Sequence, residues 1–465
     1  MKRTLVNETL LKIGEEVKLY GWVDTKRDHG KITFVDLRDF TGKIQCVGQD
    51  KMSELTTESV VEVMGIVRKR PQNLINPNID TGTIEVEVGS YKLLNKCGEL
   101  PIPVDSTGYE IKEELRFKYR YLDLRRERMQ KIIRLRSKFI EGIRKSLFKK
   151  DFVEVETPIL TKSTREGARD FIVPSRHFPG KFYALPQSPQ QYKQLLMTAG
   201  FERYFQIAKC VRDEDTRSDR GYEFTQLDLE MSFVSEEDVM HVVEEAVVSA
   251  VESLSAKIKS KKFQVFSYKE ALEKYGSEKF DLRTDKEKED GVLAFVWVNR
   301  FPFFKKVDVK DAAEVEDSKS GYTFTHNPFS RPIDEHLPWH LKGEHIEEIL
   351  TTQYDLVCNG YEVGGGSLRA YTEDVLRSTY KIMGYSEGEI LGSVGHMFEA
   401  FKLGTPPHGG IALGLDRLVM LASNEESLKE TIAFPMTGNG KTSVMDAPSD
   451  VDPKLLSELG LSISS

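Results

Sequence analysis

Apolar and polar positions alternate with a period of two in several short runs early in the chain. Thr83-Ile84-Glu85-Val86-Glu87-Val88 is the clearest, and such alternation predicts a half-buried strand. Residues 17–24, 31–37, 43–47 and 60–67 read the same way, with turn sequences at Asp28-His29-Gly30 and Thr41-Gly42 between them. Five short strands in about 100 residues predict a small barrel. The period then changes. Ile132, Leu135, Phe139, Ile140, Ile143 and Leu147 recur at helical spacing, and residues 152–158 return to alternation and stop at a proline. Residues 205–212, 226–233 and 294–298 read as strands, and residues 372–383 and 387–401 as helices. Ser235-Glu236-Glu237-Asp238 forms a capping box that predicts a helix to about residue 254.

Chemistry concentrates in the second half. Asn359-Gly360 accepts positive φ at both positions and predicts a two-residue hairpin turn. Pairing outward sets Cys358 opposite Tyr361 and Val357 opposite Glu362. Asp355 then lies diagonal to Glu362 on the same face. Paired carboxylates suit a hard cation such as Mg²⁺ that also meets phosphates; a solvated surface hairpin carries the same pattern. Gly364, Gly365 and Gly366 leave the backbone open to a ligand. Arg369 ends the stretch with a planar donor fork. Along 226–233, Leu227, Leu229, Met231 and Phe233 share one face, and Gln226, Asp228 and Glu230 the other. That polar face is either wet or lines a site. Arg212 ends the preceding strand, where it can hold a phosphate. Gln190 and Lys193 lie in a polar stretch between apolar segments, which predicts either ligand contacts or an ordinary helix start. Residues 165–170 read as a charged lid with a glycine. His326 alone points first to a structural role. Residues 406–421 read as a glycine-bearing strand running into a helix at Gly414, Leu415, Asp416 and Arg417. No phosphate loop of the GxxxxGK[ST] or GxGxxG type occurs.

In the barrel, inward Val35 and Leu37 turn Phe34, Asp36 and Arg38 outward, and inward Ile44 and Cys46 turn Gln45 outward. An exposed aromatic with Arg27 and Arg38 nearby suits base stacking, and the Gln45 amide suits a base edge; Phe34 packed under a loop is the alternative. An oligonucleotide-binding barrel (OB-fold) is the leading expectation for residues 1–105.

Lys and Arg total 66 against 74 Asp and Glu, a net charge of −8, which argues against a chain coated with non-specific nucleic-acid affinity. Residues 116–150 depart from that average, with fourteen Lys or Arg and three Asp or Glu. Such a strip follows a phosphate backbone or is a solvated helix face. Cys46, Cys97, Cys210 and Cys358 are scattered, which predicts free thiols and no zinc framework. No apolar run reaches about 18 residues, so a soluble, cytoplasmic protein is expected.

Together these segments resemble class II aminoacyl-tRNA synthetases, and within them the bacterial-type aspartyl-tRNA synthetases. Residues 152–160 look like the family's first motif, 205–233 with Arg212-Asp213-Glu214 like the second, and 409–417 like the third. Residues 360–369 and 187–193 narrow the match to the aspartate branch. The resemblance implies an α+β chain: an anticodon-binding OB-fold over 1–105, a hinge over 106–130, and a catalytic domain over 131–465 with an antiparallel sheet flanked by helices. It implies that Arg212 holds the α-phosphate and the substrate carboxylate, and that Glu214 and Arg417 clamp ATP. Asp213, Gly221, Glu362, Gly414, Leu415 and Asp416 fall at further ATP positions. Asp355 and Glu362 would carry Mg²⁺. Lys193 and Arg369 would read the aspartate side chain as two cations lacking another counter-charge. Glu166, Gln190 and Asp228 would surround its ammonium group, with His326 above. Arg27, Phe34, Gln45 and Asn76 would read the anticodon. The implied partners are L-aspartate, tRNA(Asp) and a second copy of the chain meeting along the first motif; bacterial members include strict forms and forms that also charge tRNA(Asn), and the loop around His29 points to the relaxed form. An asparagine or lysine ligase of the same fold, or a non-catalytic RNA-binding relative, shares much of the pattern. The chain departs from the family in one large way: residues 256–320 are too few for the extra domain that bacterial members carry there.

Overall fold

A computed structural model describes residues 1–49, 52, 54–164, 166–214, 220–308, 318–442 and 444–463. Position 165 of the expected lid, part of the charged loop after Glu214, and most of residues 305–320 lie outside the described residues. The chain divides into two compact units, Met1–Pro103 and Val104–Ser465.

The first unit is a closed barrel of β1 (Glu16–His29), β2 (Ile32–Asp39), β3 (Gly42–Gln49), β4 (Val60–Lys69) and β5 (Ile84–Asn95), in the order β1-β2-β3-β5-β4. Alternation decides its inside. Val17, Leu19, Val35, Leu37, Ile44, Cys46, Val61 and Val63 are buried as one cluster.

In the second unit the strands are β6 (Val153–Glu154), β7 (Ile172–Pro174), β8 (Phe182–Ala184), β9 (Arg203–Val211), β10 (Glu223–Ser232), β11 (Gln264–Ser267), β12 (Phe295–Asn299), β13 (Phe304–Lys306), β14 (Tyr322–Phe324), β15 (Tyr354–Cys358), β16 (Tyr361–Leu368) and β17 (His408–Gly414). Eight of them form one sheet in the order β11-β12-β15-β16-β17-β10-β9-β6. Its six central strands are antiparallel, and β11 and β6 add parallel edges.

Helices Glu127–Phe148 and Glu236–Ser253 pack together, and their apolar faces join one core with those of the sheet. The predicted capping box is present: the Ser235 hydroxyl accepts from the Asp238 N–H, and Asp238 returns the bond. Gly142 is needed for the crossing, because a Cβ there would lie 2.8 Å from Ala250 Cα. Helices Glu373–Ile382 and Glu387–Phe401 bury a second cluster that includes Phe303, Phe304 and Phe329.

The N-terminal part of the basic strip turns inward, whereas Lys118, Lys131, Arg134, Lys138, Lys145 and Lys149 stay exposed. Arg116, Arg120 and Arg126 are buried around Asp123, at 3.3, 2.5 and 2.7 Å. Arg116 and Arg128 also reach Glu430, and Arg128 reaches Glu425. The partners lie about 300 positions away in sequence, so a local charge count could not find them. Asp123→Ala is expected to cost about 3–5 kcal/mol, because buried guanidinium groups lose their counter-charge. The midpoint of urea unfolding measures it.

Candidate active site

The site lies on the face of the sheet built by β10, β15, β16 and β17. Asn359 (φ +53) and Gly360 (φ +87) make the predicted turn, and Asn359 Oδ1 accepts from the Ala294 N–H at 2.9 Å. Val357 pairs with Glu362 and Cys358 with Tyr361, as the turn dictates. A bulge after Leu356 then shifts the register, so Asp355 faces Gly365. The three glycines divide their work. Side chains at Gly364 and Gly366 would strike β17 backbone at 2.6 and 2.2 Å, which is a packing demand. Gly365 alone gives room on the site face, where a Cβ would lie 2.9 Å from Asp355 Oδ1.

A cleft of about 320 Å³ gathers Glu166, Gln190, Lys193, Arg212, Glu214, Gly221, Asp228, His326, Glu362, Arg369, Gly414, Asp416 and Arg417. Three expected members stand apart from its lining. Leu415 is buried in the core, so its side chain is unavailable to a nucleotide. Asp213 lies beside Arg169 at 3.7 Å and is partly exposed. Asp355 sits behind the wall, bonded to His326 Nε2 at 3.0 Å and to Gln353 Nε2 at 2.7 Å. Asp416 reaches the cleft, but its carboxylate is engaged by Arg136 at 2.5 Å and the Thr225 N–H at 2.8 Å. That arrangement fixes the helix start beneath Arg417.

The expected pair of bare cations is not bare. Lys193 Nζ meets Asp228 Oδ2 at 3.0 Å and Glu230 Oε2 at 3.2 Å. Arg369 clasps Glu230 through Nε at 2.9 Å and Nη2 at 3.4 Å. All four side chains are at most 3% exposed. Two charges of each sign therefore form a closed lattice on the cleft floor, as burial of ions demands. Glu230 is the residue that sequence reasoning left without a role. Its place on the polar face of β10 was the available signal. Its partner Arg369 lies 139 positions away.

Donor counting shows what the lattice leaves over. Lys193 has three N–H donors and two acidic partners here. Arg369 has five; Nε, Nη2 and one of the two on Nη1 serve Glu230, Gly410 O and Ser367 Oγ. One ammonium donor and one Nη1 donor have no partner among the described residues. On the acceptor side, Asp228 Oδ1 is buried without a hydrogen bond among the described residues.

Burial pushes the Asp228 carboxyl up to about 6, against the pull of Lys193. Glu230 goes the other way: burial opposes its charge, but Arg369 and Lys193 outweigh it and hold the group below the carboxylate range. Burial also raises Glu166, which accepts from Ser188 Oγ at 2.6 Å. Asp355 is raised by burial and by the neighbouring charge of Glu362, with His326 opposing. His326 is raised because Asp355 outweighs the effect of burial.

Arg212 stacks over Phe224, 5.0 Å from the ring centre, and its Nε lies 3.4 Å from Gln187 O. Gln187 in turn donates to Ala168 O and Asp170 Oδ1 at 2.7 and 2.6 Å, which ties down that loop. Glu214 pairs with Arg220 at 2.7 Å. Arg417 Nη1 donates to Glu362 O at 2.7 Å.

In the barrel unit, Arg27 pairs across to Phe34, and Asp36 to Gln45. Phe34 is half-buried and meets His29 edge-on at 5.7 Å. Gln45 is covered rather than open: its oxygen accepts from Arg27 at 3.4 Å and its amide donates to Glu85 at 2.9 Å. Arg38 is held by Asp24 and Glu58. Asn76 sits in the turn before β5, with Oδ1 accepting from the Asn78 N–H.

Residues 112–438 match the family described as tRNA synthetases class II (D, K and N), and residues 17–94 match the OB-fold nucleic acid binding domain. The chain belongs to this class II tRNA synthetase family. An aspartate–tRNA(Asp/Asn) ligase of Thermotoga maritima is 39% identical over 97% of this chain and 97% of the relative. An aspartate–tRNA ligase of Staphylococcus carnosus is 35% identical over 99% and 98%. These alignments run to 570 and 581 positions, so both relatives carry sequence that this 465-residue chain lacks. Among solved structures, the asparaginyl-tRNA synthetase from Pyrococcus horikoshii complexed with asparaginyl-adenylate overlays with a TM-score of 0.72. It is 25% identical, over 94% of this chain and 98% of that one.

Proposed function

We propose that this protein is an aspartate–tRNA ligase that activates L-aspartate with ATP, giving aspartyl-adenylate and pyrophosphate, and passes the acyl group to tRNA(Asp) and tRNA(Asn). The supporting observation is the pair of donors left over by the charge lattice. A carboxylate accepts from both Lys193 and Arg369. A carboxamide offers one oxygen and would set its own NH₂ against the second donor, leaving that donor buried and unpaired. Discrimination then rests on donor matching, since the lattice already balances its own charge. Asp228 Oδ1 is the acceptor for the substrate ammonium, with Glu166 and Gln190 beside it and His326 above.

Arg212 faces the α-phosphate, with Glu214, Arg417 and the backbone at Gly221 and Gly414 around the nucleotide. The substrate carboxylate attacks in line, and no protein nucleophile is required. Positioning and fixed positive charge supply the rate. Glu362 lines the cleft and its charge reaches Asp355, so the two would hold a divalent cation shared with phosphates once Asp355 exchanges His326 or Gln353 for it. Among the described residues no cluster of three or more His, Cys, Asp or Glu is placed to hold such an ion alone. Mg²⁺ held there would neutralise phosphate charge. Half-buried Phe34 offers its ring to an anticodon base, and Arg27 and Gln45 would exchange partners, Asp36 and Glu85 among them, to read one. The relatives named for both tRNAs support the double tRNA substrate. Residues 152–160, with exposed Val153, Ile159 and Leu160, support a homodimer along that motif, and the cytoplasm, where tRNA is charged, is the proposed place of action.

Aspartate-dependent ATP–pyrophosphate exchange tests this reading. Exchange with aspartate and none with asparagine or lysine is expected. Exchange with either of the other two alone reassigns the enzyme.

The pH dependence follows from Asp228. Its value lies above the ordinary 3.8, so between pH 3.8 and about 6 the fold holds a proton that the unfolded chain has released. The stability from this group is present in full below 3.8 and is lost as pH rises to about 6. Ammonium capture needs the ionised form and runs the opposite way. The aspartate KM should rise as pH falls below about 6, and Asp228→Asn should flatten that limb of the profile.

A further inference from the structure

Residues 276–283 fall within the stretch 256–320 that the sequence marks only as too short for an extra domain, yet they form a well-anchored turn against the β15–β16 hairpin. Helix Tyr268–Tyr275 ends at Gly276 in the left-handed region (φ +73). Phe280 is buried and stacks on Tyr275, 4.0 Å between ring centres and 8° from parallel. Arg283 forks onto Asp281 at 2.8–3.1 Å. Asp281 Cβ lies 3.8 Å from where a Cβ on Gly360 would stand, so the turn rests on the hairpin tip. This backbone carries Lys279 to the cleft, which it lines together with Arg212 and Arg417. Lys279 Nζ sits 3.0 Å from Glu362 Oε2 and 4.0 Å from Glu278. Its side chain is still 45% exposed, so it is free to swing.

We propose that Lys279 is a phosphate-binding residue whose ammonium exchanges Glu362 for the departing pyrophosphate of ATP. The pyrophosphate half rests on the ligase reading; the exchange at Glu362 does not. An ammonium and a divalent cation on the same carboxylate repel each other at close range, so each weakens the other's hold on Glu362. A cation on Glu362 therefore loosens Lys279, and phosphate oxygens bound in the cleft would be the acceptors it turns to. A compact charge on a flexible stem suits such a change of partner. In the reaction, the aspartate carboxylate oxygen bonds to the α-phosphorus. The bond from that phosphorus to the oxygen bridging to the β-phosphate breaks, and its electron pair leaves with pyrophosphate. Lys279 offsets the charge gathering there. No proton or redox partner is required.

Full-length Lys279→Met and Lys279→Arg, each with an unchanged unfolding temperature, test this in two arms. Without nucleotide, Mn²⁺ titration read by electron paramagnetic resonance should show Lys279→Met binding the ion about ten-fold tighter, since the competing charge is gone. Lys279→Arg should stay near the unsubstituted protein. In ATP–pyrophosphate exchange, Lys279→Met should raise the pyrophosphate KM about ten-fold or more and leave the aspartate KM alone. Unchanged Mn²⁺ affinity overturns the exchange at Glu362. An unchanged pyrophosphate KM, or an aspartate KM that rises equally, overturns the phosphate contact. An unsubstituted enzyme silent in exchange overturns the ligase reading, and the Mn²⁺ arm still decides the rest.

Discussion

Replacing Arg212 by alanine should slow aspartate-dependent ATP–pyrophosphate exchange about 100- to 1,000-fold in kcat, the usual cost of removing a fixed charge from a developing anion. Folding should be spared. Arg212 is held by a 3.4 Å contact to Gln187 O and by its stack on Phe224, not by a buried carboxylate. Its loss breaks no contact ion pair among the described residues and only withdraws a charge that favours ionised Glu166. Arg212→Lys keeps the charge and loses the planar fork, so it should fall between the two. Exchange kinetics together with a thermal melt read both parts. A kcat near that of the unsubstituted enzyme would move the phosphate role to Arg417.

Replacing Glu230 by alanine should act on the fold itself. Glu230 is fully buried and bridges Arg369 at 2.9 Å and Lys193 at 3.2 Å. Its removal leaves one buried negative charge, on Asp228, against two positive ones. The expected destabilisation is about 3–5 kcal/mol, read as a lower urea midpoint. The effect has a second signature. Arg369 would lose two of its anchoring bonds, so aspartate selectivity should fall in whatever folded protein remains. A Glu230→Ala protein as stable as the parent would mean that the lattice contributes nothing net.

Local chemistry explains which features were legible. Asn359-Gly360 dictates its turn from two residues, and alternation then places Asp355 and Glu362 on one face. The same alternation marked the polar side of β10. What sequence could not supply is pairing at long range. Glu230 takes its meaning from Arg369, and Arg116 takes its from Glu430, 314 positions on. Both were read as local polarity, which left Lys193 and Arg369 looking unpaired and the arginine strip looking free. The bulge after Leu356 was equally hidden, because it answers to the packing of Gly364 and Gly366 on β17. Lys279 was missed for a related reason: nothing within residues 276–283 announces that the turn lies against a hairpin some 80 residues later.

The most direct measurement is charging. Purified tRNA(Asp) and tRNA(Asn) transcripts are incubated with ATP and labelled aspartate, asparagine or lysine. The donor-matching pocket predicts that both tRNAs accept aspartate and neither accepts the other two. Folded protein that binds ATP yet charges no tRNA with aspartate, or charges asparagine as readily, would contradict it.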